Sequence, residues 1–498
     1  MESKSNIVFW FSAIIITLFV IWAAVSPESL GNNASAVFDF TTKAFGWFYL
    51  LAVLFFVLFC FYLAFSRFGK VRLGKDSDRP EYSFFTWIGM LFSAGFGVGL
   101  VFWGVAEPMQ HYFAPPLGAP SQTTESAQVA MRYSFFHWGI HQWSVFTIVG
   151  LAIAYYQFRK GVPSLISNTF NPLIGDKGKN YLRKPIDILA VIATVTGVAT
   201  SLGMGILQIN GGLNHVFGIP NNAVYQLIIT FVLLVLYLSS STTGLNKGIK
   251  YLSNLNLSLA LGLLLFVFIV GPTVFILDSF TLALGQYIQR FFEMSLRLTP
   301  YGGGTWVRDW TIFYWAWVIA WSPFVGAFIA RVSRGRTIRE FVFGVLIVPP
   351  FIAIVWLAVF GGSALHLDMF ENTAIAEAVQ NDVTVALFAM FEHFPFSFVL
   401  SILSMLLIFT FLVTSADSAT YVLGMMTQNG KLNPSMMVKI IWGVLIAAIA
   451  AVLIISSGLQ GLQTASLVAA LPFTFILIIM CIALFKALRQ DHRKQKVK

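Results

Sequence analysis

The chain reads as an all-α polytopic membrane protein with twelve transmembrane helices, and three observations carry that reading. Of its 498 residues 57% are hydrophobic and 10% charged, with 50 phenylalanines and a mean hydropathy of +0.79; a water-soluble domain has about 25% charged residues. Apolar runs near the ~20 residues that cross a bilayer recur along the whole length. Basic residues fall in every second connection: Arg67, Lys70, Arg72 and Lys75, then Arg159 and Lys160, Lys247 and Lys250, 331–339, Lys431, and the tail from Lys486. The net charge of +10 is thus a topology signal and not a nucleic-acid footprint. By the positive-inside rule both termini are cytoplasmic.

The spans fall at roughly 7–26, 43–66, 83–105, 130–157, 186–212, 223–241, 253–277, 308–330, 338–361, 396–424, 437–457 and 462–487. The first follows Lys4 but is too long for a secretion signal and lacks a small-residue cleavage site, so it is read as an uncleaved anchor. Cys60 and Cys481 lie in separate spans, make neither a disulfide framework nor a metal motif, and are read as filler. The outer loops carry Glu107 and Glu125, or Asp368, Glu371, Glu377 and Asp382.

The third span contains FSAGFGVGLVFWG, with Gly95, Gly97 and Gly99 alternating at mid-bilayer. Each Gly weakens a helix interior by up to about 1 kcal/mol relative to Ala, and unwound backbone survives in lipid only when buried in protein or lining a cavity. Either another helix packs very closely there or a ligand meets bare backbone. A spacing of two does not make one helical face, so a locally unwound segment fits better. The fourth span, SFFHWGIHQWSVF, sets Trp138 and Trp143 on neighbouring faces, with Phe146 one turn beyond Trp143. In the fifth, Thr196 and Thr200 share a face, and the tenth holds Thr414 and Ser415. Such hydroxyls either bond the preceding turn or, beside loosened backbone, hold a hard cation such as sodium.

Residues 282–299 mix apolar side chains with Gln286, Gln289, Arg290, Glu293 and Arg297, and read as an amphipathic helix along the outer surface. Residues 306–323, WVRDWTIFYWAWVIAWSP, open the eighth span with Trp310, Trp315, Trp317 and Trp321 and end in a helix-weakening Ser-Pro. Trp317 and Trp321 are one turn apart and can present faces to one point. A desolvated cation gains about 0.5–2 kcal/mol from each such face; core packing by large residues is the other reading. The basic loop 331–340 sets topology or meets anionic lipid. His137 and Asp417 are ionisable groups inside spans, where a functional role and a core hydrogen bond both remain open.

The two interrupted spans, third and eighth, stand five apart. Two inverted five-helix repeats, spans 3–7 and 8–12, after a pair of accessory helices would place them so, and a transporter with a midplane site between spans 3 and 8 follows. The organisation is then 1–82 accessory helices, 83–280 first repeat, 281–305 surface helix and linker, 306–488 second repeat, and 489–498 a short basic cytoplasmic tail. An integral membrane enzyme would need a titratable cluster with metal or nucleophile spacing. His137 and His141 share a face, but no HExxH or equivalent surrounds them. A channel fits the aromatic faces poorly.

SAGFGVGLVFWGVAEP at 93–108, FHWGIHQW at 136–143 and WTIFYWAWVIAWSPFVGAFIARVSRGRT at 310–337 resemble the betaine/choline/carnitine transporters, and the resemblance covers nearly the whole chain. It implies a leucine-transporter-like fold, a homotrimer in the bacterial plasma membrane, and import of a quaternary-ammonium compatible solute, glycine betaine first. It implies no cofactor beyond sodium as coupling ion. Trp138, Trp143, Trp317 and Trp321 match the family's aromatic cage and gating positions, with Phe146, Phe313 and Trp315 beside them, and the backbone of Gly95, Phe96 and Gly97 would face the solute carboxylate. One sodium site is implied around Ser93, Phe96, Phe411, Thr414 and Ser415, and another around Thr196, Thr200 and Phe324. The glycine segment and paired threonines are intact, which favours symport over sodium-independent exchange. The chain departs at Val318, where many betaine carriers have a further Trp, and at Phe146, where they have Tyr. Choline, carnitine, proline or ectoine therefore stay open as the solute. The tail is short, which argues against osmosensing through a long extension.

Overall fold

The computed structural model describes residues 6–95, 97–175, 179–243 and 246–497, and it is almost wholly helical. In chain order the helices are α1 (Ile7–Val25), α2 (Pro27–Phe65), α3 (Phe84–Gly95), α4 (Val98–Phe113), α5 (Thr124–Trp138), α6 (Ile140–Ala154), α7 (Asn171–Ile174), α8 (Lys179–Phe217) and α9 (Ala223–Thr243). They continue as α10 (Asn246–Val270), α11 (Thr273–Gln289), α12 (Phe291–Ser295), α13 (Phe313–Val332), α14 (Ile338–Glu371), α15 (Ile375–Asn381), α16 (Ala386–Phe391), α17 (Ser397–Thr427) and α18 (Met436–Val497). Among the described residues nine helical stretches are long and apolar enough to cross a membrane: α1, α2, α8, α9, α10, α13 with the turn before it, α14, α17 and α18. The chain is a polytopic helical membrane protein. Backbone polar groups have no water to bond in hydrocarbon, so helices satisfy them internally.

Burial divides the helices into a centre and a rim. The α4, α5, α6 and α13 faces are buried almost throughout, whereas α1 and α9 leave Trp10, Phe11, Leu18, Val224, Phe231 and Val235 exposed. Apolar side chains pointing outward are what a lipid-facing rim requires. The basic segment between α13 and the first turn of α14 is held against the end of α2, the loop after it and α3: Arg336 donates to the Tyr82 carbonyl at 2.8 Å, Arg339 to that of Ala64 at 2.8 Å, and Arg336 lies 4.7 Å from the Trp87 ring centre.

Three breaks decide where side chains point. Between α3 and α4 the chain leaves helical geometry at Gly97, which is extended (φ −159°, ψ 170°); the unwound segment expected in the third span is there. The fourth apolar run, read as one continuous span, is two helices that meet at Gly139. A Cβ at Gly139 would lie 2.6 Å from both the Phe135 carbonyl and the Tyr287 hydroxyl, so only glycine fits. Tyr287 then accepts the freed Ile140 N–H at 3.2 Å. The long α18 is interrupted at Gly458, whose φ of 57° and ψ of −137° lie outside helical space.

A fourth break, expected at Ser322-Pro323, does not form. Pro323 removes the N–H that would reach the Ile319 carbonyl, and the Ser322 hydroxyl donates to that same carbonyl at 2.8 Å. With the orphan oxygen satisfied, α13 runs unbroken through the proline; its irregularity lies earlier, in a widened turn at Arg308–Ile312. The surface helix also differs from expectation. It begins at Thr273, just after Gly271-Pro272, and is divided at Arg290 into α11 and α12. The tail is helical as a continuation of α18, with Asp491 accepting from Tyr155 at 2.6 Å and Lys160 at 2.5 Å.

Candidate functional site

An aromatic ladder on α13 forms one wall of the site. Helical repetition places Phe313, Trp317 and Trp321 one turn apart; Phe313 and Trp317 are 6.0 Å between ring centres and 1° from parallel, Trp317 and Trp321 6.0 Å and 6°. Phe324 extends the stack at 6.3 Å and 27°. Helices α5 and α6 add the second wall, edge-on: Trp138 stands 6.1 Å from Trp317 at 80°, Phe146 5.9 Å from Trp321 at 80°, and Trp143 5.2 Å from Phe146 at 78°. The Gly139 break makes this possible, because it turns Trp138 at the end of α5 and Trp143 in α6 towards the same space.

The start of α4 closes the third side. Gly97, Gly99 and Leu100, with Trp138, Gln142, Trp143, Phe146, Trp317 and Trp321, enclose a cavity of about 10 Å³, room for about one water. A Cβ on Gly99 would meet Trp317 at 2.4 Å and Trp138 at 3.3 Å, while one on Gly97 would sit 3.8 Å from Trp321. Gly99 is therefore needed so that two indoles can approach the backbone. Among the described residues the indole nitrogens of Trp143 and Trp317 and the Gln142 side-chain oxygen find no protein partner. Two unspent donors beside aromatic faces suit a solute with a carboxylate at one end and a bulky cation at the other.

Trp315 lies apart from this cavity, stacked on His141 at 5.7 Å and edge-on to Phe136 at 5.3 Å. Val318 is fully buried and does not line it. Gly95 ends α3; Phe96 and the side chain of Ser93 lie outside the described residues.

Of the sodium candidates, Thr196 and Thr200 lie one turn apart on α8. Thr196 donates to the Ala193 and Ile192 carbonyls at 3.0 and 3.1 Å, while the Thr200 hydroxyl is 2.9 Å from the carbonyls of Thr196 and Leu462 and 2.7 Å from the Ser466 hydroxyl. Between them a Cβ at Gly197 would lie 2.8 Å from the Trp321 backbone nitrogen, so α8 presses on α13 at the cage. Thr414 donates to the Thr410 and Phe411 carbonyls at 3.0 and 3.1 Å and accepts from Asn256 at 3.3 Å; Ser415 is half-buried. The two threonine groups thus belong to different helices: Thr200 reaches α18 through Leu462 and Ser466, and Thr414 reaches α10 through Asn256.

A hub behind the cage escaped the sequence reading. Glu107, taken as an outer-loop residue, is fully buried because α4 continues through Pro108 to Phe113. Its Oε1 is 2.6 Å from His137 Nδ1 and 3.2 Å from His111 Nε2, and its Oε2 accepts from Trp138 Nε1 at 2.9 Å and the Tyr314 hydroxyl at 2.5 Å. His137 Nε2 meets the Thr311 hydroxyl at 2.9 Å. A glutamate one turn from His111, inside an otherwise apolar run, was the available signal. Asp417 is buried in α17.

Comparison with known proteins identifies the family. A family model described as betaine/carnitine/choline family transporter matches residues 7–493. The chain is 59% identical over 494 residues to the ectoine/hydroxyectoine transporter of Virgibacillus pantothenticus, covering 99% of this chain and 98% of that one. It is 51% identical to the glycine betaine transporter OpuD of Bacillus subtilis, covering 98% and 95%. With the probable glycine betaine transporter of Desulfitobacterium hafniense it shares 47%, covering 99% of each. The chain belongs to the betaine/carnitine/choline transporter family, and it is a transporter, not an enzyme.

Proposed function

We propose that this transporter imports a small zwitterionic solute, glycine betaine or ectoine, by sodium symport with alternating access. The observation that carries the reading is the cage: parallel indoles on α13 and edge-on rings from α5 and α6 around the backbone at Gly97 and Gly99. Aromatic faces recognise a bulky, weakly hydrated cation, and backbone and indole N–H groups suit the carboxylate. The relatives named for glycine betaine and for ectoine support the same chemistry, since both solutes pair a spread-out cation with a carboxylate.

Twelve spans follow from nine long apolar stretches once α18 is counted as two at Gly458 and the pairs α3–α4 and α5–α6 as one each. Spans 3–7 and 8–12 are then the two inverted repeats, α1 and α2 the accessory helices, and both termini cytoplasmic in the plasma membrane of a homotrimer. In the proposed cycle sodium binds from outside at the Thr196/Thr200/Phe324 and Phe411/Thr414/Ser415 positions, the latter with Ser93 and Phe96. Binding orders the segment around Gly97, the solute parts the rings, the outer gate closes and the inner one opens. Each net positive charge carried inward gains about 2.3 kcal/mol per 100 mV of membrane potential.

Uptake of labelled glycine betaine and of labelled ectoine into proteoliposomes, with and without an inward sodium gradient, tests the proposal, with choline, carnitine and proline as competitors. Sodium-driven uptake of either solute is expected. Uptake indifferent to the gradient would reject symport, and uptake of neither would reject the zwitterion reading.

A further inference from the structure

We infer that Glu107 is an electrostatic positioning residue for the cage, holding the Trp138 indole by its N–H and strengthening that ring as a host for the solute cation; this rests on the proposed zwitterion transport. The Trp138 side chain spans the two sites. Its nitrogen donates to Glu107 Oε2 at 2.9 Å, its far edge lies 3.3 Å from where a Cβ on Gly99 would stand, and its ring centre is 6.1 Å from that of Trp317 at the cavity. No other ring lining the cavity has its N–H on a carboxylate: among the described residues the Trp143 and Trp317 nitrogens have no protein partner.

The groups around Glu107 accommodate it as an anion. A carboxylate accepts at about four lone-pair sites, and four groups point at it, from His111, His137, Trp138 and Tyr314. As an anion it accepts from all four; protonated, it would donate to one of the two imidazoles, whose ring nitrogens take either role. With the anion, His111 serves as its Nε2–H tautomer, and His137 as Nδ1–H with the Thr311 hydroxyl donating to Nε2. Charge-assisted bonds are roughly twice as strong as neutral ones, so the indole is held firmly in one orientation. An anion on the nitrogen also pushes electron density into the ring, and cation attraction depends on that density.

The same cluster offers three ligand atoms from Glu107, His111 and His137 within 4.8 Å of one another, but tetrahedral zinc does not fit. Glu107 Oε1 and His137 Nδ1 are 2.6 Å apart; two atoms each about 2.0–2.1 Å from zinc would then subtend about 80°, far below the tetrahedral angle.

The test compares glycine betaine with 3,3-dimethylbutanoate, which replaces trimethylammonium by an uncharged tert-butyl group, as ligands of the purified transporter. E107Q keeps an acceptor for Trp138 but removes the charge, and is expected to reduce the preference for betaine over the isostere by about tenfold. In a W138F background the same change is expected to have little further effect. Y314F removes one donor and keeps the charge, so preference is expected to hold. Equal weakening of both ligands by E107Q, a full effect of E107Q in W138F, or loss of preference in Y314F would each overturn the inference. A readout without solute covers misfolding or failure of the zwitterion reading: the resonance Raman signature of the Trp138 indole hydrogen bond, as wild type minus W138F, is expected to weaken in E107Q and persist in Y314F. An unchanged signature in E107Q overturns the inference, and absence of betaine binding by wild type overturns the transport reading instead.

Discussion

Gly97 in the extended break and Gly99 in the first turn of α4 are two residues apart, yet the space around them separates their roles. A methyl group on Gly99 would collide with Trp317, which is locked between Phe313 and Trp321 and has no free direction to swing. Gly99→Ala is therefore expected to raise the KM for solute about three- to tenfold, within the strength of one cation–π contact. The methyl of Gly97→Ala meets only ordinary contact, and Gly97 is extended, so its KM is expected to stay within about twofold; uptake kinetics of the two variants distinguish them. Residue patterns made much of this legible. One-turn spacing marked the Trp317–Trp321 pair and alternating glycines marked the break. Glu107 was not legible, because the burial of a charge depends on donors at His137, Trp138 and Tyr314 that are remote in sequence.

At the scale of elements, apolar runs identify helices well and their continuity poorly. A helix survives a proline or fails at a glycine according to who satisfies the local backbone. Ser322 repairs α13 from within one turn, while Gly139 divides α5 from α6 where a tyrosine on α11 crowds the chain and takes the freed N–H. The first is local chemistry overlooked; the second requires knowing where α11 lies. Ser322→Ala would leave the Ile319 carbonyl without a donor in a buried helix and is expected to lower stability by about 1–2 kcal/mol. Thermal unfolding in detergent, with Ser322→Thr restoring the hydroxyl, is the check.

For the whole molecule, the crossing of α8 and α13 brings the Thr196–Thr200 pair against the aromatic ladder. Gly197 lies between Thr196 and Thr200 and allows α8 to touch the backbone of Trp321, and Phe324 stacks on the same indole. A cation drawn to the threonines would pull on the helix that carries half the cage. Replacing both threonines by Ala is expected to raise the half-saturating sodium concentration on the order of tenfold, with solute affinity recovered at saturating sodium. Unchanged sodium dependence in the uptake assay would count against these positions. The helical class and the order of apolar runs could be read from composition and spacing alone, but this crossing could not, because a glycine that admits a neighbouring backbone looks in sequence like any other.

The indoles of Trp317 and Trp321, 6.0 Å apart and 6° from parallel, have one more consequence. Chromophores held so close share their excited states, and the cavity between them and the facing rings is too small for a solute until something yields. The pair thus serves as an optical gauge: any change in the spacing or angle of the two indoles would alter the near-ultraviolet circular dichroism of the unlabelled protein.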